Sequence, residues 1–214
     1  SAEARAARFA ALHGDQERGH FHAYYDNYCY LPLYVFAGQD MLACVLRPSD
    51  RDPASVVSAL IKRLLVPLRR AWPKTKIIVR ADSGFCRPRV LQRLERWDVS
   101  YILGLQKNSR LAQQVELAEL ALAEQYAAKK TKQRMLGEFE YAARTWDKTR
   151  RVIARLEHGE QGANPRFIVT DLPGSPKALY ERRYCARGEA GNRIKEAQLG
   201  LFGRRASCHR FQAN

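Results

Sequence analysis

The sequence has no long apolar run and no closely paired cysteines. No stretch approaches the roughly 20 continuous apolar residues that a membrane-spanning helix needs, and the segment from Ser1 to Arg5 lacks the apolar core of a signal peptide. The five cysteines are scattered without a CxxC pair, and Cys208-His209 has no second pair at ligand spacing. These absences argue against a membrane protein and a structural zinc site, and they predict reduced, buried thiols in a cytoplasmic protein.

Several motifs of known enzymes are also missing. The chain has no Gly-rich phosphate loop, no GxSxG and no HExxH, so an unrelated basic metabolic enzyme has little support. An initiator methionine is absent, and the chain stops at Asn214 within an expected helix. We therefore expect a piece of a longer protein, although processing could equally remove the methionine.

Acidic residues are few relative to basic ones. The 214 residues include 37 Lys and Arg against 22 Asp and Glu, which gives a formal charge of +15. An excess of this size favours a polyanionic partner, most commonly DNA or RNA, but an ordinary basic protein is the alternative. Hydrophobic residues make up 46% of the chain, which is enough for one core and a small insertion.

Hydrophobic periodicity predicts an α/β fold. Residues 28–36, interrupted at Pro32, and residues 41–46 have the composition of a β-hairpin. Further strands are predicted at 76–81, 100–105, 137–145, 150–156 and 166–170. Helices are predicted at 2–12, 53–72, 87–97, 111–129, 177–184 and 189–201. Alternating strands and helices indicate a sheet with helices on its faces, and 137–156 forms a second hairpin.

Asp82 has the most distinctive position. It follows the predicted buried strand 76–81 and precedes Ser83-Gly84, so it stands at the carboxyl end of a strand, where ligand crevices of α/β sheets tend to open. A carboxylate there suits Mg²⁺, which prefers oxygen ligands. Alternatively, Asp82 shapes the turn or caps the following helix together with Ser83.

A second candidate segment is Tyr184–Glu196, with the sequence YCARGEAGNRIKE. If it is helical, Glu189, Arg193 and Glu196 share a face. A Glu–Arg pair at this spacing is more typical of a solvated helix stripe than of a catalytic unit.

Three segments in order resemble bacterial insertion-sequence transposases. They are His13–Phe36, the RADSGFCR element at Arg80–Arg87, and Tyr184–Glu196, and Leu199–Asn214 continues the likeness. The family has a DDE catalytic core and a Tyr-(2)-Arg-(3)-Glu-(6)-Lys signature. The resemblance implies an RNase H-like mixed sheet flanked by helices, in a single catalytic domain over 1–214 with a β-hairpin insertion at about 130–160.

The resemblance also implies a chemistry. Two Asp and one Glu would bind two Mg²⁺ ions, or Mn²⁺, for strand cleavage and transfer during DNA transposition. Asp82 matches the second Asp, and so would be both catalytic and a metal ligand. Tyr184 and Arg187 match the signature, and together with Arg193 and Lys195 they would contact DNA. The implied partners are transposon ends, target DNA and a second copy of the chain, in the cytoplasm at the bacterial nucleoid.

The match breaks at the two other carboxylates. Counting back from His13 places the first Asp near Ala6, where the sequence has no carboxylate. The composition there predicts a helix, which leaves open whether the first core strand is present. The Glu should fall at Gly191, and Glu189 lies roughly 200° away on a helix, which makes it a weak substitute. The Lys position holds Gln198.

We therefore expect a catalytically impaired transposase. Asp15 and Asp26 are possible replacement ligands, but their spacing supports neither. The alternative is a DNA-binding remnant without chemistry, whose phosphate contacts would come from the surviving basic side chains. Those side chains are Lys129, Lys130, Lys132 and Arg134, the arginines between 144 and 155, and Arg182, Arg183 and Arg187.

Overall fold

The fold is described from a computed structural model of the chain. It describes residues 2–6, 10–12, 14–52, 54–187, 192, 194–196, 205–206 and 208–213. The chain forms two compact units, one from residues 1–80 and 187–214 and one from residues 81–186. The prediction that 1–214 is a single catalytic domain stays a prediction.

The main sheet of the first unit is mixed. Its strands are β1 (Ala2–Ala6), β5 (Leu33–Ala37), β6 (Asp40–Val45) and β7 (Ile78–Ala81). Their order is β7-β1-β5-β6, and β1 runs parallel to β7 and antiparallel to β5. The hairpin of β5 and β6 confirms the pair predicted from the sequence.

The prediction of a helix at residues 2–12 is wrong. Residues 2–6 form β1, and residues 10–12 form a second strand, β2. Alanine favours helices by less than 1 kcal/mol per residue over most other residues, and tertiary context overrides so weak a preference. Here β5 and β7 pair with the two edges of β1, so its backbone groups are satisfied by the sheet. A strand is therefore present at residues 2–6, which the sequence had left open, and its identity as the first strand of an RNase H-like core stays a prediction.

A smaller sheet completes the first unit. It contains β2 (Ala10–Leu12), β3 (His20–His22), β4 (Asn27–Tyr30) and β13 (Arg205–Ala206), in the order β13-β2-β4-β3. Proline breaks strand pairing, and the predicted interruption at Pro32 separates β4 from β5. Tyr30 is fully buried at the centre of this sheet's core.

Helix α1 (Val57–Ala71) follows in the first unit. It begins a few residues after the predicted start, because Asp52 accepts a hydrogen bond from the amide of Ala54 and holds a turn first. The helix buries Val57, Ile61 and Leu65. It ends at Trp72, as predicted.

The second unit contains an antiparallel sheet. Its strands are β8 (Ser100–Leu105), β9 (Gln133–Tyr141), β10 (Arg150–Gly159), β11 (Gly162–Ala163) and β12 (Arg166–Thr170). Strand β10 pairs with β9, β11 and β12, and β12 pairs with β8. The second predicted hairpin is therefore present as β9 and β10, although β9 begins and ends four residues earlier than predicted. That it is an insertion stays a prediction.

The helices of the second unit are α2 (Pro88–Arg96) and α3 (Ser109–Lys129), near their predicted bounds. Asn108 caps α3 by accepting a hydrogen bond from the amide of Leu111. A π-helix spans Ala178–Tyr184, and short 3₁₀ turns span Ser83–Phe85, Cys185–Arg187 and Phe211–Ala213. The class is thus α/β, with mixed sheet pairing and flanking helices. No helix in the described part of the chain is long and apolar enough to cross a membrane.

None of the five cysteines, all of which the structure describes, forms a disulfide, but the prediction that they are buried is wrong for most of them. Cys29 is buried and Cys86 half-buried, whereas Cys44, Cys185 and Cys208 are exposed. Burial raises the pKa of the Cys86 thiol to about 12.

A buried ion pair links α2 to the start of β10. Arg150, only 4% exposed, donates from Nε to Glu95 Oε1 at 2.7 Å and from Nη2 to Glu95 Oε2 at 3.0 Å. Tyr101 Oη also donates to Glu95, and Asp147 accepts from Arg150. Burial raises the pKa of Glu95, but the hydrogen bonds from Arg150, Lys148 and Tyr101 outweigh it and leave that pKa below its usual value.

We predict that Glu95→Leu lowers the free energy of unfolding by about 3 kcal/mol, because it leaves the buried Arg150 with Asp147 and the Lys148 carbonyl as its hydrogen-bond acceptors, beside the Trp146 ring. The matched control is Glu138→Leu, which breaks the more exposed Arg151–Glu138 pair and should cost at most about 1 kcal/mol. Urea unfolding at neutral pH measures both. Equal costs would contradict the account.

The same pair predicts a pH dependence. The pKa of Glu95 is lower in the folded state than in the unfolded state. Its contribution to the free energy of unfolding is therefore complete above the unfolded-state pKa of about 4.3 and is lost as pH falls through the folded-state pKa. Wild-type protein should therefore lose more stability than Glu95→Leu between about pH 5 and pH 3. Identical pH profiles would exclude this role for Glu95.

Candidate functional site

Asp82 lies directly after β7 and is half-buried. Its Oδ1 accepts a hydrogen bond from the amide of Gly84 at 2.9 Å, so it caps the 3₁₀ turn Ser83–Phe85. Phe85 anchors that turn, since its ring is fully buried. The turn-shaping role considered from the sequence is therefore present, and it fixes one carboxylate oxygen. A role as metal ligand stays a prediction.

Gly104 in β8 brings Asp82 close to a second predicted site residue. A methyl group at Gly104 would lie 2.6 Å from Tyr184 Oη, 2.7 Å from the Ser83 amide nitrogen and 3.2 Å from the Asp82 carbonyl carbon. Because glycine has no side chain, the Asp82-Ser83 backbone and the Tyr184 hydroxyl can both approach this point of the strand. Sequence reasoning missed Gly104, although an isolated glycine in a strand pattern signals close backbone approach.

Tyr184 is a core residue of the second unit. Its ring is 8% exposed and packs in a cluster with Ile102, Ile153, Ile168, Leu179 and Tyr180. The Tyr180 and Tyr184 ring centroids are 5.6 Å apart. Tyr184 is therefore packed in the core beside the Asp82 turn. The predicted contact with DNA stays a prediction.

The remaining predicted DNA-binding residues belong to the first unit. Lys195 is exposed, and its neighbour Ile194 is buried against Tyr34 and Phe36. Arg187 ends a short 3₁₀ turn, and its side chain is not among those described. Arg193, Glu189 and Gly191 lie outside the described residues.

The donor set does not fit a pair of Mg²⁺ ions. Ala6, near which the sequence predicts the first family Asp, is the last residue of β1 and has no side-chain ligand atom. Among the described residues, no three His, Cys, Asp or Glu side chains come together as metal ligands would. Asp15 and Asp26 are exposed and belong to no such group. Of the three positions predicted from the family, only Asp82 carries a carboxylate, and the correspondence itself stays a prediction.

A charged cluster lies on the hairpin of β9 and β10. Glu157, only 8% exposed, contacts Lys132 Nζ at 3.0 Å, Arg155 Nη2 at 3.1 Å and Arg134 Nε at 3.7 Å. Arg134 also reaches Glu181 at 3.2 Å. Part of the basic run predicted to bind phosphate is therefore neutralised within the protein.

A groove beside this cluster carries a small excess of positive charge, since its lining holds three basic residues against Glu157 and Glu160. It opens between the end of α3 and the turn from β10 to β11 and is lined by Lys130, Lys132, Asn164 and Arg166. Lys130 and Arg166 are exposed. Basic side chains with an amide and flanking glycine backbone are suited to an anion such as phosphate.

The close approach at Gly104 yields a prediction. Gly104→Ala should lower the free energy of unfolding by about 1–3 kcal/mol, because its methyl group must displace the Ser83 backbone as well as the Tyr184 hydroxyl. Gly137→Ala in β9 is the matched control, since a methyl group there meets no atom within 4 Å. Thermal unfolding of both variants measures the difference. A Gly104→Ala variant as stable as Gly137→Ala would refute the close approach.

Comparison with known proteins places the chain in a family. The sequence profile described as Transposase DDE domain group 1 matches residues 7–214. No curated protein sequence matches the chain. A cryo-EM structure of the piggyBac transposase synaptic complex with hairpin DNA is similar in fold, with a TM-score of 0.50 and 9% identity over 97% of this chain. The chain spans 41% of that protein's length. The chain belongs to the DDE transposase family.

Proposed function

We propose that this chain is the RNase H-like core of a bacterial insertion-sequence transposase that binds DNA but is impaired in strand cleavage and transfer. The observation that carries the proposal is the end of β1. This strand pairs in parallel with β7, which leads to Asp82, yet β1 itself ends in Ala6, which has no carboxylate.

The fold supports this origin. In the first unit, β6, β5 and β1 are antiparallel neighbours and β7 joins β1 in parallel, an arrangement expected of an RNase H-like sheet. Tyr184 and Arg187 keep the first two positions of the Tyr-(2)-Arg-(3)-Glu-(6)-Lys signature. Transposon ends and target DNA would be the ligands, and a second copy of the chain the partner.

The missing carboxylates account for the proposed impairment. Two-metal phosphoryl transfer needs ligands that hold both ions and fix their geometry. Neither Ala6 nor Gly191 can supply an oxygen from its side chain. Asp82 alone would leave Mg²⁺ mostly bound by water, so we propose that the remaining chain orients DNA without activating a nucleophile.

A nicking assay tests the impairment. We predict that the purified chain does not nick supercoiled plasmid in Mg²⁺ or Mn²⁺, and that Asp82→Ala therefore behaves like the wild type. Metal-dependent nicking that Asp82→Ala abolishes would contradict the proposal, because it would require a working site built on Asp82.

The same assay can test the assignment of the two missing ligands. The double variant Ala6→Asp/Gly191→Glu places a carboxylate at both predicted family positions. Nicking gained by this variant and lost again on adding Asp82→Ala would support all three positions. Gain that persists without Asp82 would refute the assignment of Asp82.

The second candidate function is DNA binding without chemistry, favoured by the groove that Lys130 and Arg166 line. Each neutralised phosphate contributes about 0.9 to the slope of log K against log salt. We predict that Lys130→Gln/Arg166→Gln lowers this slope by about 2 for duplex DNA, because both charges are lost while polar side chains remain.

Lys62→Gln/Arg63→Gln is the control, since it removes the same charge from exposed positions of α1. Fluorescence anisotropy over a salt series measures both slopes. Equal slopes for the two double variants would show that the groove is not a phosphate site, and absence of binding at low salt would remove DNA binding altogether.

A further inference from the structure

A short hairpin in the first unit exposes an unusual number of aromatic rings. We call residues 20–28 the aromatic hairpin; they comprise β3, the turn at residues 23–26 and the start of β4. Tyr24 is 84% exposed, Tyr28 57% and Phe21 53%. Among the described residues, these three and Trp72 are the large aromatic side chains most exposed to solvent.

The rings are held in place rather than loosely displayed. Phe21 and Tyr28 are cross-strand partners, and their ring centroids lie 5.6 Å apart at 66°. Tyr24 packs edge-on against Tyr25 at 4.9 Å, and His22 lies 5.1 Å from Tyr25. Such aromatic pairs contribute beyond their buried area, so the rings are preorganised for a ligand.

The base of the hairpin is anchored by its own sequence. Beyond Tyr28, β4 continues into Cys29 and Tyr30, which are fully buried. At the tip, the amide of Tyr25 donates to the carbonyl of His22 at 3.0 Å, and Asp26 takes a left-handed conformation with φ 47°. The hairpin thus has a buried end and a tip that presents rings to solvent.

The chemistry of these rings identifies the ligand. The hairpin contains no Leu, Ile, Val or Met, so its exposed surface is aromatic rather than aliphatic. Each tyrosine and histidine combines a ring face with a polar edge, which matches a nucleobase in both respects. Aromatic side chains stack on unpaired bases of any sequence, while positive charge elsewhere holds the backbone. The chain's charge of +15 supplies that second requirement.

We infer that the aromatic hairpin stacks on unpaired nucleobases of DNA, with Tyr24 as the principal contact. The inference rests on the proposed DNA binding and adds a site that distinguishes opened strands from duplex. A base pair in duplex presents only its edges to such rings, so the hairpin should contribute little to duplex affinity.

Three probes separate stacking from charge. They are an oligothymidylate of about 16 nucleotides, an abasic oligomer with the same number of phosphates, and a duplex of the same length. Tyr24→Ala should weaken oligothymidylate binding by between about fivefold and a hundredfold. Its affinity for the abasic oligomer and the duplex should stay within about twofold of wild type, because phosphate contacts are unchanged.

Two further variants serve as controls. Trp72→Ala removes an exposed ring that lies outside the hairpin, 59% exposed against 57% for Tyr28, and should change none of the three affinities. Tyr24→Trp keeps a stacking face and should retain oligothymidylate affinity. Because Tyr24 is so exposed, its replacement should leave the thermal unfolding temperature unchanged.

The outcomes distinguish this inference from the proposed function. Wild-type protein that binds no probe at low salt overturns both. Wild-type protein that binds all three probes leaves the proposed function standing. If Tyr24→Ala and Phe21→Ala/Tyr28→Ala then leave all three affinities unchanged, or weaken them equally, only the hairpin's role is overturned. Dissociation of an oligomer by Phe21→Ala/Tyr28→Ala, with DNA affinities unchanged, would identify the hairpin as a contact between copies of the chain.

Discussion

The pairing of β1 between β5 and β7 is the constraint on which the first unit depends. Five residue pairs join β1 to β5, and Ala2 and Glu3 pair with Val79 and Arg80 of β7. Without β1, both neighbours would expose unpaired edges that invite aggregation. The same pairing fixes where β1 ends, at Ala6.

The second unit holds Asp82 and Tyr184 by packing within its own core. There the Asp82 turn and the Tyr184 ring converge on Gly104, and Tyr184 is part of the hydrophobic core. Packing of this kind does not need metal, so the local shape around Asp82 does not depend on a bound ion.

Much of the fold could be predicted from hydrophobic periodicity. The bounds of β8, β12, α2 and α3 were predicted to within two residues, because each has a regular pattern of apolar residues. The failure at residues 2–12 has a physical cause. Alanine-rich composition reports helix propensity, whereas β1 is stabilised by partners distant in the sequence. Long-range pairing leaves no local signal, and the family resemblance alone kept the possibility of a strand open.

The sequence singled out Asp82 and Tyr184 as candidates, but it could not predict how their surroundings are arranged. Asp82 stands out in sequence by its strand-to-turn position, but its bond to Gly84 and the role of Gly104 depend on tertiary contacts. Of the aromatic hairpin, only its last residue fell in a predicted strand. The exposure of its rings could not be predicted, because so short a segment shows no periodicity. Neutralisation of Lys132 and Arg134 by Glu157 was likewise invisible to a count of charges.

Direct titration with Mn²⁺ tests the central claim that the metal site is incomplete. Calorimetry or electron paramagnetic resonance on the wild-type chain and on Asp82→Ala would count the bound ions without requiring DNA cleavage. The account predicts no Mn²⁺ binding that depends on Asp82 at micromolar ion concentrations. Two ions bound by the wild-type chain and lost in Asp82→Ala would contradict it.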